Sequence, residues 1–511
     1  MQMSKRNLTA LTDYYQLTMM QGYHSSGIAD RRVVFDLFYR RNPSGNGYAV
    51  AAGLKQAIEY ITELEFTDRD ISFLKRQGVF KDDFLSYLRG FKFTGDIHAI
   101  PEGTVVFPHE PLLRVKAPVI QAQFLETALL NIINHQSLIA TKAARLVEAA
   151  AGDTVIEMGL RRAQGPDSSI YGARASIIGG CSATSNVLAA EMFDIPVRGT
   201  QAHSWVMSFG DELTAFREYA KVFPDNCVLI ADTYDTLHSG VPNAITVFGE
   251  MRKKYKNFSN FGIRLDSGDF AYLSKAARKM LDVAGFPDAI IGGSSDLNEM
   301  LIRDLKLQGS AVKMWGVGTN LITSGDWPAF GGVYKLAAIE DENGHVIPKI
   351  KLSDNVEKIT NPGIKNVHRF YDVKTGKIKA DLIALEHEKF DPGRDQLLFD
   401  PIATWKRMTL PAESYRVREL LIPVFAGGAC VYNSPPVMEI QAYCTGEKST
   451  LWDEHRRLVN PHILPVDLSE ELWKLKESMM ASKYQHISFR TEHNNNRGGD
   501  INEFQKQKSS P

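Results

Sequence analysis

The fold class follows from FGIRLDSGDFAYLSKAARKMLDVAGFPDAIIGGSSD, residues 261–296. Two short apolar runs, each ending in polar residues, flank a segment in which Leu273, Ala277 and Leu281 share one face at helical spacing. A strand, a helix and a second strand in this order predict two parallel strands joined by a crossover helix. The stretch therefore predicts an α/β fold.

The same alternation continues on both sides of this stretch. Six apolar runs carry it, with starts roughly 24–40 residues apart, about the length of one β/α unit in a (β/α)₈ barrel. The runs are VIEMGL (155–160), IPVRGT (195–200), CVLIADT (227–233), FGIRLDSGD (261–269), DAIIGGSSD (288–296) and VKMWGVGT (312–319). They predict a barrel-type parallel sheet with helix crossovers.

Four regions are predicted along the chain. Residues 1–150 form an N-terminal α/β domain that ends in a long helix, and residues 151–340 form the β/α barrel with the active site. Within the latter, GGVYKLAAI (331–339) is interpreted as its seventh strand. Residues 341–490 pack on the N-terminal domain or form a third subdomain. The polar residues 491–511 are predicted to be a disordered tail.

Composition excludes several classes of protein. The formal net charge is −1, so the chain has no overall excess of positive charge that would favour binding to nucleic acid or an anionic membrane. The sequence has no signal-peptide pattern and no uncharged apolar run of membrane-spanning length. The cysteines show neither a CxxC motif nor zinc-site spacing, which favours a reducing, cytoplasmic location; they are Cys181, Cys227, Cys430 and Cys444.

Polar residues follow every one of the six runs. In parallel α/β folds the ligand site lies at the carboxyl ends of the strands, so these residues are expected to share one site. They are Glu157, Arg161, Arg162, Thr200, His203, Asp232, Tyr234, Asp235, Arg264, Asp266, Ser267, Asp269, Gly292, Gly293, Ser294, Ser295, Asp296, Gly316, Gly318 and Thr319.

The types of these residues indicate which chemical groups of a ligand they could bind. GGSSD and GVGTN offer backbone N–H groups to a phosphate, or are ordinary turns between strand and helix. Asp266 and Asp269 suit sugar hydroxyls or Mg²⁺, although Asp269 would also cap a helix. Arg161 could clamp a carboxylate or form a surface ion pair. His203 could transfer a proton or be structural, and its position among the other strand ends favours function. Together they predict a barrel enzyme for a phosphorylated, sugar-bearing, anionic substrate.

A specific set of motifs resembles the nicotinate phosphoribosyltransferase family, within the wider group that includes nicotinamide and quinolinate phosphoribosyltransferases. The resemblance spans about residues 8–480. The motifs are LTDYYQLTM (11–19), EMGLRRAQGPD (157–167), GTQAHSW (199–205), ADTYDT (231–236), IRLDSGD (263–269) and GVGTNL (316–321).

The resemblance implies a reaction and an architecture. Nicotinate and 5-phosphoribosyl 1-diphosphate would give nicotinate mononucleotide and diphosphate for NAD biosynthesis. ATP would be a co-substrate, its hydrolysis coupled through a phosphohistidine at His203, and Mg²⁺ would be required. The implied fold is an irregular TIM-like barrel with a smaller, β-sandwich-like α/β domain built from N- and C-terminal segments. The implied assembly is a homodimer with shared active sites.

The resemblance also implies roles for individual residues. His203, Asp266 and Arg264 would be the catalytic residues. Nicotinate would contact Tyr15 of a neighbouring subunit, Arg161, Thr200, Ser185 and Arg264. Phosphoribosyl diphosphate would contact Asp266, Gly292, Gly293, Ser294, Gly318 and Thr319, with Arg40 and Lys335 from a partner subunit. No direct Mg²⁺ ligand is assigned.

Ser185 bears on the choice of substrate. Nicotinamide-using relatives place an aspartate at this position, which accepts the amide N–H of nicotinamide and repels a carboxylate. Serine removes that repulsion and favours the acid. The alternatives are a nicotinamide phosphoribosyltransferase and a non-catalytic nucleotide-binding protein on the same fold. An aldolase would need a lysine at a strand end, and neither Lys313 nor Lys335 is predicted there.

Overall fold

This computed structural model describes residues 6–255, 259–355 and 358–495. Within the described residues, the N-terminal region contains five strands and six α-helices. The strands are β1 (Arg32–Tyr39), β2 (Ala49–Val50), β3 (Asp96–Ala99), β4 (Val105–Val106) and β5 (Leu113–Pro118). The helices are α1 (Tyr14–Ser25), α2 (Leu54–Thr62), α3 (Asp68–Arg76), α4 (Asp82–Arg89), α5 (Val119–Phe124) and α6 (Glu126–Ala150). The long helix predicted before residue 150 is present as α5 and α6.

The middle region contains the predicted alternation of strands and helices. Its strands are β6 (Thr154–Glu157), β7 (Ala183–Thr184), β8 (Val228–Ile230), β9 (Gly262–Leu265), β10 (Ile290–Ser295) and β11 (Met314–Val317). Its helices are α7 (Pro166–Gly179), α8 (Val187–Phe193), α9 (His203–Met207), α10 (Glu212–Val222), α11 (Val241–Lys254), α12 (Phe270–Val283), α13 (Glu299–Leu307) and α14 (Thr319–Ile322).

These six strands form one parallel sheet in the order β7-β6-β11-β10-β9-β8. Because every pair is parallel, all the carboxyl ends lie at the same edge. The parallel sheet is confirmed, but the closed barrel is not, because no described strand pairing joins β7 to β8. The run at 195–200 contributes only a bridge between Thr184 and Val197. Pro196, which lacks an N–H donor, explains why this run is a poor strand.

The C-terminal region is rich in antiparallel strands. They are β12 (Gly332–Glu340), β13 (Val346–Pro348), β14 (Lys365–Asp372), β15 (Ile378–Leu385), β16 (Gln396–Phe399), β17 (Arg407–Leu410), β18 (Tyr415–Glu419), β19 (Ile422–Ala426), β20 (Ala429–Cys430) and β21 (Val466–Leu468). The helices are α15 (Val437–Ser449), α16 (Asp453–Arg456) and α17 (Glu470–Asn495). The first five residues of the predicted tail therefore end α17, and residues 496–511 lie outside the described residues.

The two ends of the chain build a common sheet of seven strands, in the order β13-β12-β1-β5-β3-β19-β20. The prediction that residues 331–339 form the seventh barrel strand is wrong, although the strand itself exists. As β12 it pairs antiparallel with β1, where Leu37 lies opposite Tyr334. An apolar strand pattern identifies a strand but not its neighbour, which explains the error.

A buried ion pair and a buried hydrogen bond attach the C-terminal region to this sheet. Lys365 on β14 lies 2.7 Å from the carboxylate of Asp36 on β1, and both side chains are almost fully buried. Arg114 on β5 donates to the backbone oxygen of Lys365 at 2.7 Å. Among the described residues, no helix combines the length and the apolar composition of a membrane span.

Candidate active site

Arg264 connects two strand ends at the carboxyl edge of the parallel sheet. It is the third residue of β9, and its guanidinium donates to Thr200 Oγ1 at 2.5 Å and to the backbone oxygen of Gln201 at 2.9 Å. Burial lowers the pKa of Arg264, while the nearby carboxylates of Asp266 and Asp232 oppose that shift. Two of the predicted nicotinate contacts, Arg264 and Thr200, are thus in direct contact.

Asp266 lies in the loop after β9 and contacts the end of β10. Ser294 donates its hydroxyl to Asp266 Oδ1. The backbone N–H of Asp266 donates to Asp232 Oδ2 at 2.9 Å, and Ser267 Oγ donates to the same oxygen at 2.6 Å. Asp269, three residues further on, caps α12 by accepting the Tyr272 N–H at 2.7 Å, so the capping interpretation of Asp269 is confirmed.

His203 begins α9 and points towards the same carboxylate. Its Nδ1 lies 3.1 Å from Thr233 Oγ1, and its Nε2 lies 3.7 Å from Asp266 Oδ2. The side chains of His203 and Asp266 are 39% and 37% exposed, so both remain open to a ligand. The contacts from Arg264 to the residues just before His203 hold this loop against β9.

The glycines of β10 and β11 permit close packing beneath the site. A Cβ atom at Gly292 would lie 2.7 Å from Met314 Cε, and one at Gly316 would lie 2.7 Å from Met158 Sδ. Ser294 is the register partner of Gly316. Side chains at these glycines would push the strands apart, so the local sequence is set by packing as well as by any ligand.

The remaining predicted phosphate contacts lie beside Ser294. Gly293 is buried in β10, and Gly318 and Thr319 follow the carboxyl end of β11 as α14 begins. A Cβ at Gly318 would approach the backbone oxygen of Met158 to 3.2 Å. The structure therefore brings both glycine-containing turns to the strand edge that carries Asp266.

Glu157 occupies the end of β6 and is fully buried. Its two carboxylate oxygens accept hydrogen bonds from the Gly159 N–H and the Thr184 hydroxyl. Its backbone oxygen accepts the Ser185 N–H at 2.9 Å. Burial raises the pKa of Glu157, and the two donors oppose that shift. Arg161, in the turn that follows, is exposed.

Three predicted contacts lie elsewhere in the chain. Tyr15 is on α1 and is 47% exposed, and no contact recorded for the described residues joins it to the strand ends. Arg40 follows β1, and Lys335 is on β12 in the antiparallel sheet. Burial lowers the pKa of Lys335; the charge of Glu126 opposes this shift, and those of Lys351 and Arg40 add to it. Arg40, Lys335 and Lys351 form a basic group outside the parallel sheet.

Asp232 and Gln201 have larger roles in the site than the sequence interpretation assigned. Asp232 Oδ1, Arg264 Nε and both amide atoms of Gln201 are buried without a hydrogen-bond partner among the described residues. Asp232 lies two residues after the end of β8, and this position at a strand end is the feature of the sequence that points to its role. The sequence held no comparable signal for Gln201, because its burial depends on how the loop folds back on Arg264.

Profiles of one protein family match most of the chain. The N-terminal domain of nicotinate phosphoribosyltransferase matches residues 10–134. The nicotinate phosphoribosyltransferase family profile matches residues 154–374, and the C-terminal domain profile matches residues 364–476.

Individual proteins give a consistent result. The nicotinate phosphoribosyltransferase of Bacillus subtilis is 47% identical over 471 residues, which cover 92% of this chain and 94% of that protein. The crystal structure of human nicotinic acid phosphoribosyltransferase is 31% identical and superposes with a TM-score of 0.79, covering 92% of this chain and 100% of the other. The structure of nicotinate-nucleotide pyrophosphorylase from Pyrococcus furiosus, at 24% identity and a TM-score of 0.66, covers 87% of this chain and 97% of its own and shares the fold.

Proposed function

The chain belongs to the nicotinate phosphoribosyltransferase family and is an enzyme of this type in NAD biosynthesis, and we propose that its reaction is coupled to ATP hydrolysis through phosphorylation of His203. The products are nicotinate mononucleotide and diphosphate, formed from nicotinate and 5-phosphoribosyl 1-diphosphate. The observation that carries the coupling proposal is the 3.7 Å separation between His203 Nε2 and Asp266 Oδ2 at the edge where Ser294 and Arg264 also lie.

Nicotinate binds, in this proposal, between the ends of β6, β7 and β9. Arg264 and Arg161 provide positive charge for its carboxylate, and Thr200 and Ser185 line the pocket. Ser185 carries no negative charge, so an acid is accepted more readily than with an aspartate at this position. This favours nicotinate over nicotinamide. The presence of His203, Asp266 and Arg161 argues against a non-catalytic protein on the same fold.

Asp266 contacts the ribose, while the 5-phosphate is surrounded by Gly292, Gly293, Ser294, Gly318 and Thr319. The pyridine nitrogen attacks the anomeric carbon and the bond to diphosphate breaks, through an oxocarbenium-like transition state. The ring nitrogen already has a free lone pair, so no general base is required. The enzyme orients two anions and stabilises the charge of the departing diphosphate.

The residues at this edge are suited to Mg²⁺. Asp232 Oδ1 is a buried oxygen without a partner among the described residues, and Asp266 presents a second, half-exposed carboxylate. Mg²⁺ in such enzymes is held by one or two carboxylates and the substrate phosphates, and a larger ligand cluster is not needed. When bound, it neutralises diphosphate charge. Asp232 and Asp266 are the residues that would hold it.

The phosphohistidine step uses Nε2 of His203. Because Nδ1 faces Thr233, Nε2 is the nitrogen directed towards the ligand side. The γ-phosphoryl group passes from ATP to Nε2, ADP leaves, and water later takes the group as phosphate. A phosphorylated His203 adds negative charge and acceptor oxygens next to the diphosphate position. We propose that this changes diphosphate binding and favours product formation.

The proposal also covers the oligomeric state of the chain and its location in the cell. The chain acts as a cytoplasmic homodimer in which Tyr15 stacks on the pyridine ring of the partner's site, while Arg40 and Lys335 contact phosphate there. The contact of Arg264 with residues 200 and 201 supports closure of the parallel sheet into an irregular barrel. All the cysteines are free thiols, in agreement with a reducing compartment.

The coupling is tested by diphosphate release from 5-phosphoribosyl 1-diphosphate, with nicotinate or nicotinamide, and with or without ATP. We expect nicotinate to support release and ATP to stimulate it. His203→Ala should lower nicotinate-dependent ADP formation at least about 100-fold. His387→Ala is the matched control, because His387 is exposed and pairs with Glu471 in the C-terminal region. Full ATP-coupled turnover by His203→Ala would contradict the phosphohistidine, and an equal rate with nicotinamide would contradict the substrate preference.

A further inference from the structure

Glu157 is a buried carboxylate at one of the strand ends, and the proposed reaction assigns it no role. We propose that Glu157 is a positioning residue that sets the preference for acid over amide, because it fixes the two strand ends that carry Arg161 and Ser185. The inference rests on the proposed nicotinate chemistry and deepens it. It concerns how the pocket is held, not which groups touch the substrate.

The position of Glu157 allows it to act on both neighbours. It is the last residue of β6, the strand between β7 and β11, and its register partners are Thr184 on β7 and Val317 on β11. No part of the side chain is exposed. A carboxylate here therefore forms its hydrogen bonds entirely within the strand ends, where geometry is most constrained.

One carboxylate oxygen holds the turn that leads to Arg161. The Gly159 N–H donates to Oε1, and the Arg162 N–H donates to the Gly159 backbone oxygen at 2.8 Å. A Cβ at Gly159 would lie 2.5 Å from Ile322 Cβ and 2.9 Å from Glu157 Oε1. Only glycine fits this close approach, so the turn that carries Arg161 starts from one defined position.

The other oxygen holds the strand end that carries Ser185. Thr184 donates its hydroxyl to Glu157 Oε2, and Thr184 Oγ1 in turn accepts the Asn186 N–H at 3.0 Å. The Ser185 N–H donates to the backbone oxygen of Glu157 at 2.9 Å. The chain is therefore anchored immediately before, at and after Ser185.

The use of both oxygens has a consequence for selectivity. Each oxygen of Glu157 accepts a hydrogen bond inside the protein, so the carboxylate is held in one orientation between the two strand ends. If the Thr184 donor is lost, Ser185 and Arg161 are held less firmly, and a weaker contact with the Arg161 guanidinium costs a carboxylate more than a neutral amide. Loss of this hydrogen bond should therefore shift the preference from nicotinate towards nicotinamide, as an aspartate at position 185 would, whereas a general loss of structure would lower the activity with both substrates.

The test is a set of four variants. Thr184→Val removes the donor at nearly constant shape, and Thr184→Ser retains it. Glu157→Leu removes both acceptors, and Glu157→Gln can retain an acceptor for Gly159 while its amide faces Thr184. Each variant is purified as the full-length chain in its native oligomeric state. Its steady-state KM and kcat are measured with nicotinate, nicotinamide and 5-phosphoribosyl 1-diphosphate, and its unfolding temperature is determined.

We expect Thr184→Val and Glu157→Leu to raise the KM for nicotinate about tenfold. The ratio of kcat/KM for nicotinate to that for nicotinamide should fall by a similar factor, with the KM for phosphoribosyl diphosphate changed less than about twofold. Thr184→Ser and Glu157→Gln should keep most of the wild-type preference for nicotinate.

Two results would overturn the inference. Equal changes in the KM for nicotinate and for phosphoribosyl diphosphate, or an unchanged preference in Thr184→Val, would show that Glu157 is only structural. If Thr184→Val and Glu157→Leu fail to fold, Glu157→Gln still decides, because a preference lost there despite normal unfolding temperature would also contradict the positioning role. Wild-type protein without nicotinate-dependent diphosphate release would overturn the proposed function, and this inference with it.

Discussion

At the scale of single residues, Asp266 is where the described contacts of the site converge. Its backbone is held by Asp232, its carboxylate accepts from Ser294, and it faces His203 at 3.7 Å. The backbone contact does not depend on the side chain, so Asp266→Asn should remove charge without displacing the loop. We expect kcat/KM for 5-phosphoribosyl 1-diphosphate to fall about 100-fold or more, measured by steady-state diphosphate release.

The same loop provides a control for this prediction. Asp269 caps α12, and asparagine is as good a helix cap as aspartate. Asp269→Asn should therefore keep activity within about twofold of wild type and leave the unfolding temperature unchanged. Comparable losses of activity in both variants would mean that the loop tolerates no change of charge, and Asp266 would then have no special role.

At the scale of secondary-structure elements, β14 contains a pH-sensitive residue. His368 is buried, its Nε2 has no partner among the described residues, and its ring meets Phe390 edge-on with centroids 4.7 Å apart. The pKa of His368 is lowered to about 4, mainly by burial; Glu419 opposes this shift and Lys389 adds to it. The folded pKa lies below the ordinary value of about 6.5, so the unfolded chain binds more protons between these two values. The free energy of unfolding must therefore fall as the pH drops through this range.

His368→Phe removes this titration and retains the aromatic contact. Between pH 6.5 and pH 5, wild type should lose about 1.5 kcal/mol more of its free energy of unfolding than the variant does. Urea unfolding at the two pH values measures the difference. Asp467, whose pKa burial raises to about 6, titrates with the opposite sign, but it is present in both proteins and cancels in the comparison. Equal pH dependence of the two proteins would refute the assignment.

At the scale of the whole molecule, the proposed dimer places Tyr15 and Arg161 of one active site in different subunits. Tyr15→Ala and Arg161→Ala should each lower activity, while a mixed dimer contains one site in which both residues are intact. Co-expression of the two variants should recover roughly a quarter of wild-type activity, because half of the dimers are mixed and each has one intact site in two. Separately purified variants that are not allowed to exchange subunits serve as the control. Absence of recovery in confirmed mixed dimers would exclude shared sites.

Much of the site could be predicted because parallel strands impose a common edge. Arg264, Asp266 and Ser294 each follow or end a recognisable strand, so the sequence indicated that they would lie together, and Arg264 and Asp266 each have the expected neighbour. Gln201 could not be found in this way, since only the folded loop buries it. The roles of Tyr15, Arg40 and Lys335 stay predictions, because they concern a second subunit.

The amino-acid sequence determined the local elements and the chemistry at their ends. Apolar spacing specified β9, α12 and β10, and the residues after the strands carried the family motifs, because both depend on near neighbours in the chain. The partners of the strands required the folded chain. β12 has the apolar pattern of one more barrel strand, yet it pairs with β1, and the contact of Glu157 with Thr184 appears only when β6 and β7 lie side by side. Long-range pairing depends on burial and hydrogen bonding between distant segments, which local periodicity does not record.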